Sequence, residues 1–238
     1  KAMKIIDTVT GKRLDGLDKK TQAQLAKSDP VKRNVEKGLE DEEYSPMDPP
    51  EAYELTGDLK DFKMEDLSTP LQALVHEHEE GMKMVTAFEA AMIAFRDNQF
   101  QLNEGLNDAF TTFFSYFEDE FLAHNRREEK YLFPIMHERL IASGEHSKGE
   151  PKTTAVDLFE DDHVKFIQLA ALCFNFLGLG VRLRDPRSQL LVMDVAVNNG
   201  LELVELIKLH IFREDHTLFP LAQRLLSLEE LAAIEAKL

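Results

Sequence analysis

The 238-residue chain reads as all-α: an antiparallel up-down four-helix bundle with an N-terminal extension and a short C-terminal helix. Three observations predict this. Apolar residues recur three and four apart over four long stretches, the spacing of one helical face. Cap and stop residues bound each stretch, and none alternates as a strand would. The chain also repeats itself. The pattern His-x-x-Arg-Glu-acidic-x-x-Leu-Phe-Pro runs from His124 to Pro134 and again from His210 to Pro220.

Residues 1–67 form an arm unlike the rest. Leu14 to Lys27 fits a short helix, and Asp29-Pro30 has the form of a cap followed by a helix-starting proline, with Gly38 as the stop. Glu40 to Pro50 mixes acid with proline, the composition of an extended linker. The arm is a candidate docking segment for a protein partner. Lys1 to Ile6 contains no apolar core of secretory length before the chain turns polar at Asp7.

The helical body spans residues 68–238. Ser68-Thr69-Pro70 opens the first helix, whose inward stripe is Leu71, Leu74, Val75, His78, Met82, Val85 and Met92; Asp97-Asn98 weakens it. A second helix runs from about Gly105, through Phe110, Phe113, Phe114, Phe117 and Phe121, past Pro134 to Gly144. Glu145 to Pro151 is a polar loop. Thr153 or Thr154 caps a third helix with Val156, Phe159, His163, Phe166, Ala170, Phe174 and Leu177 on one face, ended by Gly178 and Gly180. Asp185-Pro186 starts a fourth carrying Leu203, Leu206, Ile207 and His210, with a kink or break near Pro220. Ser227 and Glu230 make a capping box for the last short helix. The body is therefore two helix pairs, 68–144 and 153–226. His78 lies 46 residues before His124, and His163 lies 47 before His210. Each of these first histidines follows an acid, Glu77 and Asp162.

Composition narrows the partners. The net charge of −16 argues against nucleic acid and anionic membranes. No apolar run approaches the roughly 18 residues a membrane span needs, so no membrane association is expected. The single cysteine, Cys173, excludes an intrachain disulfide and cysteine-rich metal sites; it reads as a buried small side chain. A cytoplasmic location is expected.

The repeated motif carries the chemistry. Residues four apart share a helix face, so His124 with Glu128, and His210 with Glu214, each offer a nitrogen and an oxygen to one point. Adding His78 and His163 from the other two helices gives four imidazoles and two carboxylates aimed at the bundle axis. Burying such groups in an apolar core is costly unless they are paired or coordinated. Carboxylates can bridge two metals, with two histidines completing each half. Mixed nitrogen and oxygen ligation suits iron or manganese better than structural zinc.

The remaining polar residues have lesser roles. His76 points to solvent, about 200° round the helix from His78. His216 has no counterpart in the other copy, which has Lys130 there, and His137 and His146 read as surface residues. Glu120, one turn before His124, and Tyr131, seven after it, are candidates to join or support the site. Arg127 and Arg213 are explained by ion pairs with neighbouring acids.

The set His78, His124-x-x-x-Glu128, His163 and His210-x-x-x-Glu214, with Leu-Phe-Pro after each pair, resembles the hemerythrin-like (HHE cation-binding) family over roughly residues 68–226. The resemblance implies two non-haem iron ions, with manganese or zinc as substitutes, held by those six residues and bridged by Glu128 and Glu214. It implies that dioxygen, peroxide or nitric oxide binds at an open iron position. Oxygen-carrying members have a further histidine one turn before the position of His163, where this chain has Phe159. They also place an aspartate five after the fourth-helix histidine. Asp215 has that spacing here, but the internal repeat favours Glu214, leaving Asp215 as the fallback ligand. The reading is a di-iron protein that binds or senses a small ligand rather than an enzyme. The alternatives are a di-iron enzyme (peroxide decomposition, ferrous oxidation or nitric oxide reduction) and a structural bundle whose site is empty or holds zinc.

Overall fold

A computed structural model describes residues 62–237, and the short helix and linker expected at residues 14–50 lie outside that range. All regular structure among the described residues is helical, with no strand. After a single turn at Met64–Asp66 come α1 (Thr69–Asp97), α2 (Glu104–Tyr116), α3 (Leu122–Arg127), α4 (Phe133–Ser143), α5 (Ala155–Gly180), α6 (Pro186–Arg213), α7 (Phe219–Leu225) and α8 (Leu228–Glu235). They form a helical bundle in which α5 packs on α6, and α1 packs on α6, α2 and α8.

The boundaries follow local chemistry. The Asn103 side chain accepts from the Leu106 amide at 2.9 Å and starts α2. Thr154, rather than Thr153, caps α5 through a reciprocal box with Asp157, and Ser227 with Glu230 does the same for α8. Asp185 accepts from the Ser188 amide at 2.9 Å, and Pro186 follows it into α6. Gly144 stops α4 in the left-handed region, with φ 93°, where a side chain would be strained.

The expected second and fourth helices are helical throughout but not uniformly α. Three π turns interrupt them: Phe117–Phe121, Glu128–Leu132 and Glu214–Leu218. In the last two, the amide of Phe133 or Phe219 reaches back five residues to the carbonyl of Glu128 or Glu214. The prolines that follow explain the widening. Pro134 and Pro220 have no N–H to donate, and each ring crowds the carbonyl four residues back. One wider turn relieves that crowding without breaking the rod. The expected break near Pro220 is thus a π turn ahead of the proline, and the helix continues to Leu225.

The core has two apolar layers. One holds Phe88, Met92, Phe95, Phe113, Phe121, Phe166 and Ile207; the other holds Leu71, Leu74, Leu132, Phe133, Phe159, Leu218 and Phe219, closed by Leu231 and Ile234 of α8. At roughly 25 cal/mol per Å² of apolar area, each such side chain contributes about 1.5–3 kcal/mol. On every long rod the histidine falls between a residue of one layer and a residue of the other: Leu74 and Val85 flank His78, and Phe159 and Phe166 flank His163.

Helix α5 departs from expectation in its inner stripe and its apolar length, and keeps the expected stop at Gly180. Its inner stripe is completed by Leu169 and Cys173, while Phe174 is 59% exposed and meets Phe114 in a T-shaped contact, at 5.1 Å between centroids. The helix also passes Gly178 and ends at Gly180, where a Cβ would lie 2.6 Å from Met193 of α6, so the absence of a side chain lets the two helices close. By length and composition α5 meets the requirement for a membrane span, contrary to expectation, with 33% of its most apolar window buried. Gln168 and Asn175 interrupt the apolar run, but no charged residue lies between Phe166 and Val181.

Candidate metal centre

The structure brings all six motif residues together. His78, His124, His163 and His210 are at most 5% exposed, and Glu128 and Glu214 are fully buried. Ligand-capable atoms fall into two groups, each within 4.8 Å: His78, His124, Glu128 and Glu214; and Glu128, His163, His210 and Glu214. Both carboxylates belong to both groups. Within each group the two imidazoles meet at Nε2, 2.9 Å apart for His78 and His124 and 3.1 Å for His163 and His210.

The outer nitrogens explain that arrangement. His78 Nδ1 donates to Asp215 (2.7 Å), His124 Nδ1 to Glu77 (2.6 Å) and His163 Nδ1 to Glu129 (2.8 Å). A carboxylate can only accept, so each Nδ1 carries a proton and each Nε2 turns its remaining valence inward. His210 is the exception in length: its Nδ1 lies 3.6 Å from Asp162 Oδ2, beyond a hydrogen bond but within ion-pair range. The support crosses between repeats. Acids just after the motif glutamates, Glu129 and Asp215, hold the histidines of the opposite helix pair. The Phe133 ring stacks on His163 and Phe219 on His78, both 5.5 Å between centroids. Phe159 and Phe166 turn edges to His210 at 5.1 and 4.9 Å.

Two Nε2 atoms about 3 Å apart can share only one proton; His163 and His210 shift in opposite directions as that requires, whereas, against burial, Glu128 and Glu77 raise His124 along with His78. Burial pulls the His78 pKa down, but its hydrogen bond to Asp215 and the charges of Glu214 and Asp215 outweigh it and hold it at about 10. Burial opposes protonation of His210 as well, yet Glu214 and Asp162 lift it to about 9. Burial and the neighbouring His210 charge push His163 down. Burial raises the Glu214 carboxyl, but His210 and His78 together take it well below the usual range. Protons therefore supply the positive charge that two buried carboxylates require. A cation between the paired Nε2 atoms would do the same, because all four oxygens of Glu128 and Glu214 lack a hydrogen-bond partner. The donor set fits a pair of metal ions.

The other candidate residues lie outside the two groups. Asp215 is not in either group; it is the hydrogen-bond partner of His78. Glu120 is exposed to solvent. Tyr131 is half-buried, beside Lys130 and Lys237 at 5.1 and 5.5 Å from its ring. The π turn after His124 inserts one residue, which rotates Tyr131 about 100° off the histidine face. The earlier π turn acts oppositely on Tyr116, whose hydroxyl rests against Gly81, one turn past His78; a Cβ there would sit 3.2 Å from it. Burial and the charges of Glu77, Glu120 and Glu80 push the Tyr116 pKa up. His76 is exposed as expected, and Arg127 pairs with Glu77. His137 and His146 are half-buried, the former 2.9 Å from the capping hydroxyl of Thr154 and the latter against the Ser147 carbonyl. The sequence reading missed the supporting carboxylates, although the signal was present. An acid precedes each first-helix histidine and another follows each motif glutamate.

A helical bundle with a buried cluster of four histidines and two shared glutamates defines a metal-binding protein of the carboxylate-and-histidine class. The model of the hemerythrin HHE cation-binding domain matches residues 69–222, and the chain belongs to that family. No curated protein and no solved structure matches it.

Proposed function

We propose that the chain holds two iron ions in this cluster and that the pair binds or senses a small ligand: dioxygen, peroxide or nitric oxide. One observation carries the reading. Two fully buried carboxylates whose four oxygens accept no hydrogen bond face four imidazole Nε2 atoms arranged as two close pairs. In this reading His78 and His124 serve one ion, His163 and His210 the other, and Glu128 and Glu214 serve both. Nitrogen and oxygen donors without thiolate favour iron or manganese, and zinc would fill the same positions only as a substitute. Bound iron supplies a redox-active Lewis acid with a position left for an exogenous ligand. The chain's own groups do the rest. Asp215, Glu77 and Glu129 orient the imidazoles, and Phe133, Phe159, Phe166 and Phe219 keep bulk water away. Four rods in an up-down bundle over residues 68–226, followed by α8, give this set its two-fold character.

The test is iron quantitation on protein purified without added metal, with optical spectra under anaerobic, aerobic and peroxide conditions. Two irons per chain and charge-transfer absorption that responds to dioxygen are expected. Less than one iron per chain, or unchanged metal content in a Glu128→Ala/Glu214→Ala variant, would sink the proposal. Catalytic consumption of peroxide would move it to the di-iron enzyme.

A further inference from the structure

The outer face of the α5–α6 hairpin is apolar where the rest of the chain is strongly acidic. Val164, Ile167, Phe174 and Leu179 on α5, with Leu190 and Leu191 on α6, are each 45–64% exposed. From Phe166 to Val181 the sequence has no charged residue, in a chain of net charge −16. The loop that joins the two helices is basic. Arg182, Arg184 and Arg187 are exposed and form no ion pair among the described residues. An uncharged strip ending in three guanidinium groups that pair with no described residue calls for a ligand that is acidic at one end and apolar along the rest.

The chain itself contains such a segment. Glu40-Asp41-Glu42-Glu43 is followed at once by Tyr44 and Met47. Its reach is sufficient. Phe62 packs into the apolar layer to which the start of α5 contributes Val156 and Phe159, so the described chain begins at that end of the bundle. The arginine loop is at the other end of that 26-residue helix, about 39 Å away at 1.5 Å per residue. Glu43 lies 19 residues before Phe62, and that length spans about 60 Å when extended. Pro46, Pro49 and Pro50 favour an extended path. We propose that residues 40–47 dock on this hairpin, with Glu40–Glu43 on the loop arginines and Tyr44 and Met47 on the apolar strip. Tethering places the segment at an effective concentration on the order of millimolar, ahead of any partner in solution. An anionic lipid surface is disfavoured by the acidity of the remaining chain.

Amide hydrogen exchange across residues 164–192 of the full chain tests this. The wild type should exchange there about tenfold more slowly than a variant with Glu40→Lys, Asp41→Lys, Glu42→Lys and Glu43→Lys, the ratio for a docked form holding about nine-tenths of molecules. Arg182→Glu/Arg184→Glu/Arg187→Glu should also lose the protection, and the combined reversal should restore it. All of these positions are exposed or in the arm, so helical circular dichroism checks folding independently. Equal exchange in wild type and single-side reversals, or no restoration in the combined variant, overturns the proposal. Protection that rises with protein concentration would put a second copy on the face. Protection seen only with phosphatidylglycerol vesicles would put a lipid surface there. Either result also overturns docking by the arm.

Discussion

Changing Asp215 to Asn keeps the shape of the side chain and removes the charge that holds His78. The Asp215 carboxylate accepts a hydrogen bond from His78 Nδ1 at 2.7 Å and is 14% exposed. A hydrogen bond to a charged group contributes about 1.5–3 kcal/mol. The loss of a carboxylate behind a ligating histidine costs about 10–100-fold in metal affinity, or about 1.4–2.8 kcal/mol. The two estimates agree, and the low exposure favours the upper half, about 30–100-fold. Glu129 on His163 is 41% exposed and better screened, so Glu129→Gln should cost about tenfold or less. Anaerobic ferrous titration against a competing chelator measures both. Each variant should still reach the wild-type iron stoichiometry at saturation. Iron affinity within twofold of wild type for Asp215→Asn would refute the orienting role. A missing iron in Asp215→Asn, with full loading in Glu214→Gln, would instead make Asp215 the ligand.

In metal-free protein, His78 and His210 are held at about 10 and about 9, above the ordinary 6.5. A raised folded-state pKa stabilises fully below about 6.5, and the benefit fades as pH climbs through the folded value. The Tm of chelator-treated protein should therefore fall between about pH 7 and pH 10; iron loading should flatten that fall, and a flat metal-free profile would contradict it. Gly180→Ala puts a methyl 2.6 Å from the Met193 side chain and should cost about 1–3 kcal/mol by urea denaturation, with part recovered in Gly180→Ala/Met193→Ala. Thr154→Ala removes the capping box of α5 and a partner of His137, and should cost about 1 kcal/mol in the same assay.

Most of the site was legible before any coordinates. The i, i+4 pairs and their duplication put two histidines and two glutamates on inward faces, and the 46- and 47-residue offsets picked out His78 and His163 from eight histidines. Spacing failed where the helix period changed. Tyr131 looked like a neighbour of His124, and Glu120 like another, because both were placed with 3.6 residues per turn. The two π turns move each off that face and bring Tyr116 toward Gly81. The stripe on α5 failed at Phe174 for a different reason. An apolar outer face has the same residue types as an inner one, and periodicity does not separate them when both sides are apolar.

The sequence by itself determined the helices, their caps, the repeat and the six inward side chains. All of these depend on residues within a few turns of one another or on a pattern stated twice. Only the tertiary structure decided how the halves serve each other. That Glu129 supports His163, Asp215 supports His78, and Glu128 and Glu214 lie between both histidine pairs are contacts between rods. No local rule sets the rotation of one rod against another. Packing of the two apolar layers sets it, and the cluster lies where those layers leave room for polar atoms.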